Sequence, residues 1–393
     1  MRHAAARKVT RSSTQSDRAA GFSLRDRSRG LKPAAQSSAA IRRKLLRWYD
    51  LHKRDLPWRR RADDPYAQWV AEIMLQQTRV ETVSKYYERF LRRFPSIGRL
   101  ARADHEDVLK HWEGLGYYRR ILHLHRAARM VCENGGVIPD NAEALRALPG
   151  VGEYTAAAIA SIAFDQPEAA VDGNVARVVA RLFGITEDVR TTASKSRIGG
   201  LAQSLLPRDR PGEFNQAWMD LGSMVCTPKA PRCDACPLRA HCLAAENGDP
   251  ECFPVREAAR NQKPKAVSLV VAIFVREGKM LVRRRERGGL WSGLWEFPTV
   301  ELPIGAQPVR YVRRLAREMG VIISERPSKV AEVRHRLTHR SLRFQVYGSS
   351  ARPVDGRTTA NTRWVNVRSF QRLPVSTAHR RIFSSVPLCN TFL

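Results

Sequence analysis

Four cysteines, Cys226, Cys233, Cys236 and Cys242, stand in one short stretch with six, two and five residues between them. Four soft thiolates gathered this closely can hold a zinc ion or an iron-sulfur cluster, because both take four sulfur ligands in tetrahedral directions. A structural zinc site more commonly shows two Cys-x2-Cys knuckles set well apart, unlike this tight, uneven loop. Lys229, Arg232 and Arg239 decorate the loop and could rest against phosphates or simply be solvated. Cys132, Cys252 and Cys389 are scattered, so the cysteines form no disulfide framework and fit a reducing compartment.

Two carboxylates are the next candidates. Glu72 is the one acid in Trp69-Val70-Ala71-Glu72-Ile73-Met74-Leu75, which runs into Gln76-Gln77-Thr78. A carboxyl desolvated in such a stretch keeps its proton to higher pH, which suits a general acid. The plainer alternative is a surface Glu on an amphipathic helix. Asp172 sits in Val171-Asp172-Gly173-Asn174-Val175, ahead of a helix patterned Val175, Val178, Val179, Leu182. Taken alone it reads as an N-cap worth about 1 kcal/mol.

The elements that must position these groups are helical. Asn141 to Leu148 reads as a short helix, Pro149-Gly150-Val151-Gly152 as a tight turn and Glu153 to Phe164 as an Ala-rich second helix. Gly150 and Gly152 let the backbone approach a ligand, and the amides opening the second helix are anion donors, so a phosphate is the natural guest. Many helical hairpins turn on Pro and Gly without binding anything, so the turn is weak alone. Apolar residues recur at helical spacing from Ile41 to about Ala245, as at Trp69, Ile73, Val80, Val83, Tyr87 and Phe90. Residues 247–265, with Pro250, Pro254 and Pro264, read as a linker. Beyond it, Ser268 to Val275 and Met280 to Arg284 flank Glu277-Gly278 as a hairpin, Leu342 to Tyr347 alternates, and Val309 to Met319 is helical. The division expected is a basic, disordered extension (1–40), an all-α region (41–246), the linker, and an α/β domain (266–393).

Composition narrows the partners. Lys and Arg outnumber Asp and Glu by 68 to 38, a formal charge of +30, which favours a polyanion such as nucleic acid. A basic tail on an ordinary enzyme is the alternative. No apolar run approaches the roughly 18 to 20 residues that span a bilayer, so no membrane role is expected. The first forty residues, rich in Arg, Ser and Ala, lack the apolar core of a secretory signal, although a mitochondrial transit peptide has similar composition. Cysteine usage and the missing secretory signal predict a cytoplasmic protein, nucleoid-associated in a bacterium.

The order of hairpin, Gly-rich stretch and Asp172 resembles the helix-hairpin-helix DNA glycosylase superfamily. The cysteine spacing is similar to the four-iron four-sulfur loop of its endonuclease III and MutY branches. Leu56-Pro57-Trp58, Met74-Leu75-Gln76-Gln77-Thr78 and Gly114-Leu115-Gly116-Tyr117-Tyr118 narrow the likeness to MutY-type adenine DNA glycosylases, from Ile41 to nearly the C terminus.

The resemblance implies an all-α helix-hairpin-helix fold with an iron-sulfur loop, followed by an α/β Nudix-like domain. It implies a monomer acting on duplex DNA that carries adenine opposite 8-oxoguanine or guanine. Glu72 would protonate the departing adenine and then help activate water, and Asp172 would stabilise the oxocarbenium-like sugar. Endonuclease III proteins carry a Schiff-base lysine where this chain has Tyr154, so a monofunctional glycosylase is predicted, with Tyr154 and Asn174 supporting the acids. Because the adenine must be flipped out, Gln77, Leu115 and Tyr117, beside Thr78, would wedge near the opposite base. Trp58, Arg59 and Gln216 would lie near the extruded adenine. All of these could instead be core or surface residues, Leu115 and Trp58 most readily.

Gly288-Gly289-Leu290-Trp291-Ser292-Gly293-Leu294-Trp295-Glu296-Phe297-Pro298 resembles the opening of the Nudix-like domain. A Nudix hydrolase needs several helix carboxylates for magnesium, and Arg313-Arg314-Leu315-Ala316-Arg317-Glu318-Met319-Gly320 keeps one, so nucleotide hydrolysis is not expected. The family's Phe-Ser-His loop aligns with Leu337-Thr338-His339, keeping a hydroxyl and the His but losing the aromatic ring. A surface turn is the alternative there. Three rivals remain: an endonuclease III-like glycosylase/lyase, a catalytically silent iron-sulfur DNA-binding protein, and a Nudix phosphohydrolase.

Overall fold

The computed structural model describes residues 35–255, 264–286, 288–354 and 361–386. The expectations for residues 1–34, for the linker over 256–263 and for Cys389 lie outside them. Helices fill the first part: α1 (Ala35–His52), α2 (Pro65–Leu75), α3 (Val80–Arg93), α4 (Ile97–Ala101), α5 (His105–His111) and α6 (Arg119–Glu133). They continue as α7 (Ala142–Arg146), α8 (Glu153–Phe164), α9 (Gly173–Leu182), α10 (Thr192–Leu205), α11 (Pro211–Met224) and α12 (Leu243–Glu246). Helix α1 begins at Ala35 rather than Ile41, which corrects the expected end of the extension; Ala35, Ala39 and Ala40 favour helix, and the residues that follow anchor it.

Two cores organise the helices. One gathers α2, α3, α5 and α6 around Trp69, Phe90 and Trp112; the other gathers α1, α9, α10 and α11 around Leu45, Val179 and Trp218. Helix α8 packs against both α2 and α11 and so joins the lobes. Glu72 belongs to the first lobe and Asp172 to the second, so the carboxylates face each other only because the lobes meet.

The second part is an eight-stranded mixed sheet: β1 (Lys265–Arg276), β2 (Lys279–Arg284), β3 (Trp295–Glu296), β4 (Thr299–Glu301), β5 (Val321–Ile323), β6 (Ser328–Arg336), β7 (Arg340–Pro353) and β8 (Thr362–Val365). Its central path runs β3-β2-β1-β7-β5, with β1 parallel to β7 and the other pairings antiparallel. Helix α13 (Pro308–Glu318) covers one face, and α14 (Val367–Arg372) and α15 (Thr377–Ser385) cover the other. The sheet docks on the first lobe: Arg380 pairs with Glu113, Trp295 Nε1 donates to Glu106 at 3.1 Å, and Leu294 joins the helical core. No helix among the described residues is long and apolar enough to cross a membrane.

Candidate active site

Helix α2 starts cleanly, with Asp64 accepting from the Ala67 amide and Pro65 at the first helical position. It is apolar on nearly every face, which marks a helix buried all round. Glu72 is therefore only 4% exposed, and its Oε2 finds no hydrogen-bond partner among the described residues. Burial pushes this carboxyl up to about 7; the Asp172 charge adds to the shift and the Tyr154 hydroxyl opposes it. The surface-Glu alternative is thereby excluded, and the group is poised to give up a proton near neutral pH.

Tyr154 lies in the first turn of α8, directly after the glycine turn. Burial, together with the charges of Glu72 and Asp172, holds its phenol well above the usual tyrosine range, so it stays neutral. Its hydroxyl reaches Met219 Sδ at 3.8 Å.

Asp172 does cap α9: Oδ1 accepts from the amides of Asn174 (2.8 Å) and Val175 (2.7 Å). Its other oxygen accepts from Asn174 Nδ2 at 2.8 Å. Three donors and the positive end of a helix thus surround a carboxylate that still neighbours Glu72. The cap and the charged site are one structure, so neither reading displaces the other.

Behind Asp172 stands Arg177, which the sequence reading passed over. Its Nη2 donates to Asn174 Oδ1 (2.9 Å) and to the Gly222 carbonyl (2.7 Å), and its Nε donates to the Cys226 carbonyl at 2.9 Å. Residue 222 must be glycine, because a Cβ there would stand 2.7 Å from Asn174 Cβ. The signal available in sequence was the i, i+3 spacing of Asn174 and Arg177, which places both on one helix face.

The cysteines wrap around α9. Cys226, Cys236 and Cys242 pack against the second core, and Arg181, fully buried, donates to Cys226 Sγ at 3.3 Å. Burial raises the thiols of Cys233, Cys236 (to about 12) and Cys242, and each of the three also feels the charge of Cys226. For Cys233, Cys236 and Cys242, burial that disfavours the bare thiolate fits a metal centre that would supply the missing positive charge. Among the described residues no three His, Cys, Asp or Glu side chains converge as ligands for a single metal ion. Of the basic residues on this loop, Arg239 pairs with Asp234 and Arg232 donates to the Met224 carbonyl.

The remaining candidates separate into groups. Arg59 Nε donates to Gln216 Oε1 (2.6 Å) and its Nη1 to buried Asp220 (2.7 Å), beside a cavity of about 330 Å³. Trp58 is a core residue, edge-on to Tyr87. Leu115 is buried in the core, while Tyr117, 52% exposed, stands at the loop surface. Gln77 is exposed and Thr78 half-buried, both in the break between α2 and α3.

Gly150 has φ +80 and would place a Cβ 2.6 Å from His123 Cβ, so the turn requires glycine. Gly152 is exposed and caps α8 with open space around it. Across the domain junction, Thr338 Oγ1 meets Tyr117 Oη at 2.9 Å on the wall of a cavity of about 580 Å³. Exposed His339 lines the same cavity, and Leu337 packs against the sheet core.

Residues 70–201 match the family model described as HhH-GPD superfamily base excision DNA repair protein, and residues 269–385 match the NUDIX domain model. The chain is 38% identical over 403 residues to the adenine DNA glycosylase of Homo sapiens, covering 88% of this chain and 73% of the human protein. The Mus musculus adenine DNA glycosylase is likewise 38% identical over 397 residues, covering 88% and 77%. The fold is similar to that of a thermostable thymine-DNA glycosylase, with a TM-score of 0.51 and 29% identity over 55% of this chain and 100% of that one. With relatives of 38% identity matched along most of its length, the chain belongs to the adenine DNA glycosylase family.

Proposed function

We propose that this chain hydrolyses the N-glycosidic bond of adenine in duplex DNA where adenine is mispaired with 8-oxoguanine or guanine. The observation that carries the reading is Glu72, buried without a cation beside Tyr154 and Asp172 and keeping its proton up to about 7. An adenine flipped into the cleft takes that proton on a ring nitrogen, and the bond to the sugar breaks with its electron pair leaving on the base. Asp172, fixed by Asn174 and two amides, faces the positive charge that develops on the sugar. The Glu72 carboxylate then accepts a proton from the water that adds to the sugar carbon. Tyr154 offers no amine for an imine, so the strand is left uncut.

Cys226, Cys233, Cys236 and Cys242 would hold a four-iron four-sulfur cluster, whose contribution is to tie this loop against α9. Gly150 and Gly152 would receive a DNA phosphate, Gln77 and Tyr117 would fill the gap left by the flipped base, and Arg59 and Gln216 would flank the adenine. Thr338 and His339 would inspect the opposite base. The enzyme works as a monomer in a reducing compartment that holds DNA, which is the cytoplasm if the cell is bacterial.

The test is cleavage of end-labelled duplexes carrying adenine opposite 8-oxoguanine, guanine or thymine, with and without hot alkali. Alkali-dependent breaks at the adenine, strongest opposite 8-oxoguanine, are expected. Breaks without alkali would show lyase chemistry, and no breaks in either condition would leave a DNA-binding protein without turnover.

A further inference from the structure

Arg120, near the start of α6, belongs to none of the groups above, yet its half-buried guanidinium makes a dense set of contacts. Nη1 donates to the carbonyls of Ile73 (2.9 Å), Met74 (2.9 Å) and Gln76. These carbonyls stand where α2 ends, and the helix C-terminus favours a cation. Nη2 donates to Thr78 Oγ1 (3.0 Å) and to the carbonyls of Leu115 (3.1 Å) and Gly116 (3.2 Å). The guanidinium also lies 5.2 Å from the Trp112 ring centre and 5.6 Å from that of Tyr117.

One side chain therefore joins the end of the Glu72 helix to the loop that carries Tyr117. Both joined segments hold a non-glycine residue in the left-handed region, Gln77 at φ 58 and Tyr117 at φ 46. Such conformations cost on the order of 1–3 kcal/mol and persist only where the surroundings over-determine them. Arg120 supplies that determination on both sides at once. Beyond its first end, Gln76 Nε2 donates to Thr155 Oγ1 at 3.2 Å, next to Tyr154; beyond its second, Tyr117 meets Thr338.

We propose that Arg120 is a positioning residue that couples reading of the opposite base to the Glu72 acid. The roles of the two ends rest on the function proposed above; the coupling rests on the hydrogen bonds. A contact at Tyr117 and Thr338 fixes the 115–117 loop, and the shared guanidinium fixes the end of α2, and with it Glu72, in the same movement. Lysine can keep the charge but cannot span both segments with a rigid fork.

The test is a double-mutant cycle of Arg120→Lys and Thr338→Ala, read as single-turnover adenine excision opposite 8-oxoguanine and opposite guanine. Arg120→Lys is expected to lower the 8-oxoguanine preference about tenfold and to lower the thermal midpoint, while the affinity for undamaged duplex holds. In the Arg120→Lys background, Thr338→Ala should cost little more. No preference in the wild type, equal slowing on both duplexes, or effects that simply multiply would overturn the proposal. A wild-type protein that excises no adenine would instead refute the function, and the cycle is then read as Kd on the two duplexes carrying uncleavable 2′-fluoroadenosine. Equal losses of affinity there would overturn the coupling.

Discussion

The two halves of the molecule each bury a glutamate and treat it in opposite ways. Glu72 is 4% exposed in the helical half, and Glu296 is 1% exposed in the sheet half. Burial raises both. For Glu72 nothing cationic answers, and the group rests at about 7. For Glu296, His379 and then Arg285 and Arg283 overcome burial and bring it down to about 2. Arg283 Nε donates to Oε1 at 3.0 Å and Arg285 Nη1 to Oε2 at 2.7 Å, while Phe297 N donates to His379 Nδ1 and leaves Nε2 facing Glu296 at 3.4 Å. Burial alone does not make a reactive acid. The buried carboxyl left without a cation is the one suited to the proposed acid, and the paired one is a structural pin in the sheet domain.

That contrast is broken most strongly by exchanging each glutamate for glutamine. Glu72→Gln should slow single-turnover adenine excision on the order of 10³-fold while mismatch binding, read by gel shift, is kept. The same change should stabilise the fold at pH 8. A carboxyl raised to about 7 binds more protons folded than unfolded, so the wild type loses stability as pH climbs from about 4.5 through 7. Removing the ionised group should return on the order of 1–3 kcal/mol at pH 8 and little at pH 5, measured as the difference in unfolding midpoints.

Glu296→Gln should do the reverse. Excision should stay within about threefold, but the fold should lose about 3 kcal/mol, because Arg283 and Arg285 keep their charges without a counter-ion. A depressed carboxyl contributes its stability above the unfolded value, so this loss should be full from pH 5 to 8 and fade only as pH falls toward 2. Arg177→Gln sharpens the comparison from the side of Asp172. Freed from Arg177, Asn174 holds Asp172 less well, and excision should fall about tenfold with no shift in the pH of the Glu72 limb. Iron content, measured beside the rate, would show whether the link to the Cys226 carbonyl matters as well.

Much of this site was legible in the residues. The Ala-rich run after Gly152 gave the bounds of α8, Glu153–Phe164, and the lone acid in an apolar stretch foretold a desolvated Glu72. The β1–β2 hairpin followed from Glu277-Gly278 between two apolar runs. Other features could not be read because they are tertiary. The break after Leu75 falls among residues with ordinary helix propensity and is held by Arg120 from another helix. Arg120 and Arg177 are two among 68 basic side chains; the i, i+3 spacing to Asn174 marks Arg177 only weakly, and the partners of Arg120 at the end of α2 lie on another helix. The parallel pairing of β1 with β7 joins strands more than sixty residues apart and has no local signal.

The most direct test of the central claim is the pH dependence of single-turnover adenine excision from pH 5 to 9, for the wild type and for Glu72→Gln. A proton donor resting at about 7 predicts a wild-type rate that is level at low pH, falls tenfold per unit above about pH 7, and loses that limb in Glu72→Gln. A wild-type rate that stays level through pH 8, or a limb that survives in Glu72→Gln, would contradict the assignment of Glu72 as the acid.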